Sequence, residues 1–225
     1  MSFYLLWHIW KARNNLLFNN QAIDGRRIFE EAINMKEKTD AVNRGFPTIS
    51  QPTASLHSSG CWIPPTGNTL KINFDGAYLE GKMSGCAILR DGHGKFLFAL
   101  SKSVDGGSPI ESEALGIHLS LEICRRQQLQ DVIIEGDCKP LIDSINDFDT
   151  FPLWRARHFI EDARMAKKSS SNLLFVYINR AANICAHNLA THALLYNVSN
   201  LICFYNEIPP CISIHVLQDM DNISS

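Results

Sequence analysis

The sequence has no closely spaced pair of cysteines. Its seven cysteines stand apart from one another, and no Cys-x-x-Cys pair occurs. Structural zinc sites and the disulfide frameworks of small secreted domains both need cysteines at short, recurring spacings. The pattern therefore argues against both kinds of site and favours a reducing, intracellular compartment, with nucleus and cytoplasm left open.

Long apolar runs and a strong net charge are also missing. The apolar stretch before His8 and Lys11 is short and has no small-residue cleavage pattern, which excludes a convincing signal peptide or membrane span. The formal net charge of -2 provides no global basic field, so nucleic-acid binding would need a local patch. We expect a monomer that does not associate with membranes.

The 225 residues, 45% of them hydrophobic, can form one domain with a sizeable core plus extensions. Helical periodicity predicts an N-terminal helical extension over residues 1–44. The stretch 45–67 is rich in Pro, Ser and Thr without periodicity, which predicts a linker. A compact domain is predicted over 68–196, followed by a loosely attached C-terminal extension over 197–225.

The predicted domain begins with three strand-like runs, and the turn "DGHG" joins the last two into an antiparallel hairpin. A helix is predicted over Pro109–Gln127, with Ser108 as its N-cap. A buried-type strand "DVIIEGD", two helices, a strand "NLLFVYINR" and a closing helix follow. The order βββαβααβα predicts an α/β fold with a mixed five-stranded sheet flanked by helices.

Acidic residues stand at the ends of these elements. Asp75 ends the first strand, Glu111 lies in the first turn of the long helix, and Asp137 ends the fourth strand. Open α/β sheets place their sites at such ends. Clustered carboxylates repel one another unless divalent cations neutralise them, and two such ions can promote phosphodiester hydrolysis. The alternative is that Asp75, followed by a glycine, simply begins a turn.

Ordered blocks of sequence carry a more specific signal. "NFDGAY", "GCAILRDGHGKFLFALSKSV", "SPIESEAL", "DVIIEGDCKPLIDSIN" and "INRAANICAHNLA" resemble the type-1 ribonuclease H fold, in its plant reverse-transcriptase-associated branch. The N-terminal "WHIWKARNNLLF" resembles the segment upstream of such domains in plant non-LTR retroelement proteins, which implies descent from a longer polyprotein. The resemblance implies a Mg²⁺- or Mn²⁺-dependent endoribonuclease that cleaves the RNA strand of RNA/DNA hybrids.

The resemblance implies metal ligands at Asp75, at a glutamate of "IESEAL" and at Asp137. We prefer Glu111 for the second position, because the helix residues after it then match the family spacing. The alternative is Glu113, which lies roughly 200° further around the helix.

The fourth acid of the family corresponds to His187 in this sequence. Imidazole can ligate Mn²⁺ or relay a proton, but it is a poor ligand for Mg²⁺. We include His187 among the catalytic residues, and a histidine hydrogen-bonded at the surface is the alternative. A non-catalytic nucleic-acid-binding remnant is the alternative for the whole domain, although clustered acids have no reason to persist in a purely structural remnant.

Five residues are candidate contacts to nucleic acid. Gly76 would permit close approach of an RNA strand, and Ser108 and Asn183 are polar residues at family contact positions. Arg157 and Arg164 fall on one stripe of a predicted helix and form a candidate phosphate track. Turn chemistry at Gly76 and a solvated helix face for the two arginines are the alternatives.

Overall fold

The computed structural model describes residues 5, 8–9, 12–13, 24–45, 60–149, 153–170, 172–204 and 207–224. The chain divides into two units, 1–56 and 57–225. The first unit contains α1, Gly25–Gly45, as predicted for the N-terminal extension. The predicted linker lies largely outside the described residues. Within the described part of the chain, no helix is long and apolar enough to cross a lipid bilayer.

The second unit is built on a mixed sheet with the strand order β5-β4-β1-β2-β3-β6. The strands are β1 Leu70–Leu79, β2 Lys82–Arg90, β3 Phe96–Asp105, β4 Val132–Gly136, β5 Leu173–Tyr177 and β6 Leu201–Phe204. Strands β1, β2, β3 and β6 pair antiparallel, while β1, β4 and β5 pair parallel. The helices are α2 Pro109–Gln127, α3 Lys139–Asn146, α4 Arg157–Ser169, α5 Ile184–Leu195 and α6 Pro210–Ser224.

The predicted α/β fold is confirmed, with one strand more than expected. The sixth strand comes from the C-terminal extension and pairs with the outer edge of β3. Helix α6 follows it and packs against α5. The C-terminal extension is therefore part of the folded unit and not loosely attached. A four-residue strand gains its stability from the edge it pairs with, so its own short pattern does not reveal it.

Strand β1 is central and buried on both faces. Ile72 and Phe74 belong to the apolar core, together with the inner face of α2. Lys71, Asn73 and Asp75 alternate with them on the opposite face, and these polar side chains are buried as well. Buried polar groups need partners, because desolvation is otherwise uncompensated. The face that carries Asp75 must therefore be a polar interior.

A hydrogen-bonded network supplies those partners. Lys71 Nζ lies 2.6 Å from Glu135 Oε1, and Asn73 Nδ2 donates to Glu135 Oε2 at 3.2 Å. Arg90 donates from Nη2 to Asn73 Oδ1 at 2.9 Å and from Nη1 to Asp219 Oδ2 at 2.6 Å. The network thus runs from β4 through β1 and β2 to α6.

Arg90 contacts a residue near each end of the second unit, Trp62 and Asp219. Its guanidinium carbon lies 3.6 Å from the ring centroid of the buried Trp62, and Asp219 supplies its counter-charge. The stretch around Trp62 therefore belongs to the folded unit rather than to the predicted linker. Arg90 and Asp219 are 129 residues apart, so no local pattern connects them.

We expect Asp219→Asn to destabilise this unit by about 3 to 5 kcal/mol, because it leaves the charge of Arg90 buried and unpaired. The Arg90 side chain is only 1% exposed, so water cannot replace the lost partner. Urea unfolding would measure the loss. Asp162→Asn, at an exposed position of α4, is the control and should change stability little. Equal stability of the two variants would contradict a structural role for the pair.

Candidate metal centre

Two carboxylates lie close together at the same end of the interior strands β1 and β4, because these strands are parallel neighbours. Asn73 of β1 pairs with Glu135 of β4, so Asp75 and Asp137, each two residues further on, lie at the same end. Glu113 reaches them from the start of α2. One carboxylate oxygen from each of Asp75, Glu113 and Asp137 lies within 4.8 Å of the others. We call these three residues the acidic cluster.

Gly76 determines which glutamate enters this cluster. A Cβ at this position would overlap the backbone of Ser112 and Glu113, so the first turns of α2 lie directly on β1. This contact requires a glycine and turns Glu113 toward Asp75. The close approach of the helix, rather than that of a nucleic acid, is therefore the structural reason for glycine at 76.

Glu111 lies outside the cluster. Ser108 donates its hydroxyl proton to Glu111 Oε2 at 2.6 Å, and Arg155 Nη1 lies 3.3 Å from the same oxygen. The preference for Glu111 is thus corrected in favour of Glu113. The family spacing gave no information on which side of the helix contacts the sheet. Ser108, a predicted nucleic-acid contact, instead donates its hydroxyl hydrogen bond to Glu111.

Burial makes the cluster electrostatically costly without a cation. It raises the pKa of Asp75, an effect that the hydrogen bond from His187 opposes. Burial, and then the charges of Asp75 and Asp137, raise the pKa of Glu113 to about 9. Among the described residues, Asp75 Oδ1 and Glu113 Oε2 are buried and have no hydrogen-bond partner. Two unpartnered carboxylate oxygens facing a third carboxylate fit a divalent cation, which prefers oxygen ligands.

Two basic side chains, His187 and Arg180, contact the acidic cluster. His187 Nδ1 lies 2.9 Å from Asp75 Oδ2, so this histidine contacts the acids as its sequence position predicts. Arg180 Nη1 lies 3.4 Å from Asp137 Oδ2, and Arg180 Nη2 lies 3.1 Å from His187 Nδ1. The sequence interpretation missed Arg180. Its position in the block "INRAANICAHNLA", shortly after β5 and a few residues before His187, was the available signal.

Asn183 is a buried positioning residue and not an exposed contact. It is 1% exposed, and its Nδ2 donates to the Phe74 carbonyl at 2.8 Å and to Asp137 Oδ1 at 3.2 Å. Its Oδ1 accepts a hydrogen bond from Asn73. The predicted contact between Asn183 and nucleic acid is therefore not supported, because its polar atoms are used to orient Asp137.

The predicted phosphate track is bonded within the protein. Arg157 Nε lies 2.7 Å from Glu161 on the next turn of the same helix. Arg164 donates to the Ser144 carbonyl at 2.6 and 2.9 Å and to the Asp147 carbonyl at 2.7 Å. Carbonyls at a helix C-terminus are ordinary partners for arginine. Arg164 therefore ties α4 to the end of α3, which favours the alternative of a helix face without nucleic acid.

Known proteins share this arrangement of strands and helices. The ribonuclease H1 of the archaeon Halobacterium salinarum is 18% identical, with a TM-score of 0.53 over 57% of this chain and 98% of its own. The N-terminal ribonuclease H domain of a Mycobacterium tuberculosis protein is 15% identical, with a TM-score of 0.54 over 58% and 96%. LC11-RNase H1, in complex with an RNA/DNA hybrid, is 17% identical, with a TM-score of 0.53 over 58% and 100%.

The fold is thus that of the ribonuclease H class, with an acidic cluster at the sheet edge. The sequence model of the reverse transcriptase-like family matches residues 73–193, and the chain belongs to this family. No curated protein sequence matches the chain. The match ends before β6 and α6, so the Arg90–Asp219 pair joins the family domain to residues outside the match.

Proposed function

We propose that residues 57–225 form a divalent-metal-dependent endoribonuclease that cleaves the RNA strand of RNA/DNA hybrids. The observation that carries the proposal is the acidic cluster, in which two buried carboxylate oxygens have no partner among the described residues. Burying three acids this closely destabilises a protein unless a cation joins them. The hybrid bound to LC11-RNase H1 supports the substrate class.

Asp75, Glu113 and Asp137 would hold Mg²⁺ or Mn²⁺. A divalent cation bound there would supply Lewis acidity toward a phosphodiester and lower the pKa of a coordinated water. The protein residues keep the ligands in place. Gly76 allows α2 to bring Glu113 to the sheet, and Asn183 fixes the orientation of Asp137 through its hydrogen bond. His187 holds one oxygen of Asp75 and leaves the other unpartnered.

The proposal includes retroelement ancestry for this chain. Support comes from the reverse transcriptase-like family match over 73–193. The N-terminal stretch that resembles plant retroelement proteins lies largely outside the described residues. Plant origin, a monomeric state and an intracellular location remain predictions from the sequence.

A non-catalytic hybrid-binding remnant is the second candidate function. The observation that favours it is His187, which bonds Asp75 where the family resemblance expects a fourth acid. Such a remnant would bind hybrid without cutting it. The enzyme proposal differs in requiring turnover that depends on a divalent cation.

Incubation of the purified chain with an end-labelled RNA/DNA hybrid, in Mg²⁺ and separately in Mn²⁺, tests the two candidates. We expect the RNA strand to be cut in the hybrid, while an RNA duplex and a DNA duplex of the same sequence stay intact. EDTA should stop the reaction. Hybrid binding without cleavage in either metal would establish the remnant instead, and absence of both would exclude the two functions together.

We expect His187→Asp to shift the metal preference of cleavage from Mn²⁺ toward Mg²⁺. The substitution replaces the imidazole that bonds Asp75 with a fourth carboxylate, a hard oxygen ligand that suits Mg²⁺ better than the softer Mn²⁺. Initial cleavage rates against the concentration of each metal would show the shift as a higher Mg²⁺/Mn²⁺ rate ratio. His118→Asp, at a position outside the acidic cluster, is the control. The same rate ratio in parent and His187→Asp would contradict access of a side chain at position 187 to the cation.

A further inference from the structure

We propose that Arg180 supplies one of the positive charges of this site, so that the acidic cluster binds one divalent cation and not two. This inference rests on the proposed function. Arg180 would contact both the acids and the phosphate group of a phosphodiester substrate.

The contacts of Arg180 close one side of the cluster. Its guanidinium reaches Asp137 Oδ2 at 3.4 Å and both ring nitrogens of His187 at 3.1 and 3.3 Å. His187 in turn contacts Asp75 Oδ2 at 2.9 Å. One oxygen each of Asp75 and Asp137 therefore faces a basic side chain. The unpartnered oxygens, Asp75 Oδ1 and Glu113 Oε2, are left for a cation.

Arg180 brings a positively charged guanidinium to 3.4 Å from Asp137 Oδ2, and this charge opposes a second cation near Asp137. In the site without substrate, the charges of three ionised carboxylates are balanced by one arginine and one divalent ion. A second divalent ion would have to displace Arg180 or remain close to it, and both are unfavourable.

The local backbone fixes where Arg180 stands. It begins the short 3-10 turn Arg180–Asn183, which is capped by the Asn179 side chain accepting from the Ala181 N–H at 2.9 Å. The buried Asn183 anchors the other end of this turn. The Arg180 side chain is nevertheless 59% exposed. Its planar fork can thus contact the acids on one side and a phosphate group arriving from solvent on the other.

Titration of the full chain with MnCl₂, followed by calorimetry and by electron paramagnetic resonance, tests the inference. We expect one Mn²⁺ per chain for the parent. Arg180→Met should bind a second ion or hold the first about tenfold more tightly, because a neighbouring positive charge has been removed. Arg180→Lys keeps the charge and should retain single-ion binding.

Arg155→Met is the matched control. Arg155 is likewise exposed and paired with one carboxylate, but that carboxylate is Glu111, outside the cluster. The Arg155→Met variant should bind Mn²⁺ as the parent does. Two ions per parent chain, unchanged binding in Arg180→Met, or no binding by any of the proteins would each overturn the inference. Single-ion binding without hybrid cleavage would instead remove the proposed function and leave the charge assignment of Arg180 in place.

Discussion

Asp75→Asn is expected to lower the rate of hybrid cleavage by about a hundredfold or more, since it removes a charge that binds the cation. The asparagine side chain has nearly the same volume, and position 75 is fully buried. It lies within the central strand β1, which continues to Leu79 and does not end at Asp75 as the sequence predicted. The fold should therefore persist, with only the ligand chemistry lost. Cleavage assays at saturating Mg²⁺ and Mn²⁺ would measure the effect.

The same variant separates a metal ligand from a structural residue. Burial raises the pKa of Asp75, so its ionised form opposes folding when no cation is bound. Asparagine carries no such charge, and the melting temperature in EDTA should stay equal or rise. Asp143→Asn, at an exposed carboxylate paired with Lys139, is the control and should retain cleavage. Full activity of Asp75→Asn, or a lower melting temperature in EDTA, would contradict the metal site.

Glu113→Gln should lose hybrid cleavage to a similar extent, whereas Glu111→Gln should keep most of it. Only Glu113 faces the other two acids, while Glu111 bonds Ser108 and Arg155. The two residues belong to the same helix turn and the two substitutions are chemically identical. Any difference in cleavage between the two variants therefore reflects the position of the glutamate on the helix and not the type of substitution. Loss of activity in Glu111→Gln alone would restore the preference that the sequence first indicated.

The pH dependence of stability gives a second measure of Glu113 that needs no substrate. Its pKa is about 9 in the folded chain, against 4.5 for an ordinary glutamate. The unfolded chain then releases this proton at lower pH than the folded chain does. Stability without metal should therefore fall as pH rises from about 4.5 to about 9.

Urea unfolding in EDTA across this pH range would measure the dependence. Glu113→Gln should flatten it, although Asp75 will retain part of the slope because its pKa is also raised. Glu111→Gln should follow the parent curve. A flat parent curve would show that Glu113 is ionised at neutral pH without metal, which would contradict its burial beside two other acids.

The sequence by itself determined the secondary structure of the family domain and two of the three acids. Period-two alternation marked β1, and the Ser108-Pro109 start defined the helix that the structure shows over Pro109–Gln127. Asp75 and Asp137 were assigned from the ordered blocks that resemble ribonuclease H, and their positions after strand-like apolar runs supported the assignment. These features depend on residues close together in the chain, where spacing reports geometry directly.

Only the tertiary structure decided the third acid and the integration of the C-terminal extension. Glu113 rather than Glu111 enters the cluster because the helix backbone lies against Gly76, and the rotation of a helix about its axis is set by such contacts. Arg90 and Asp219 form their pair across 129 residues. Periodicity records which face of an element is buried, but the partner of a buried charge is chosen by packing between distant segments.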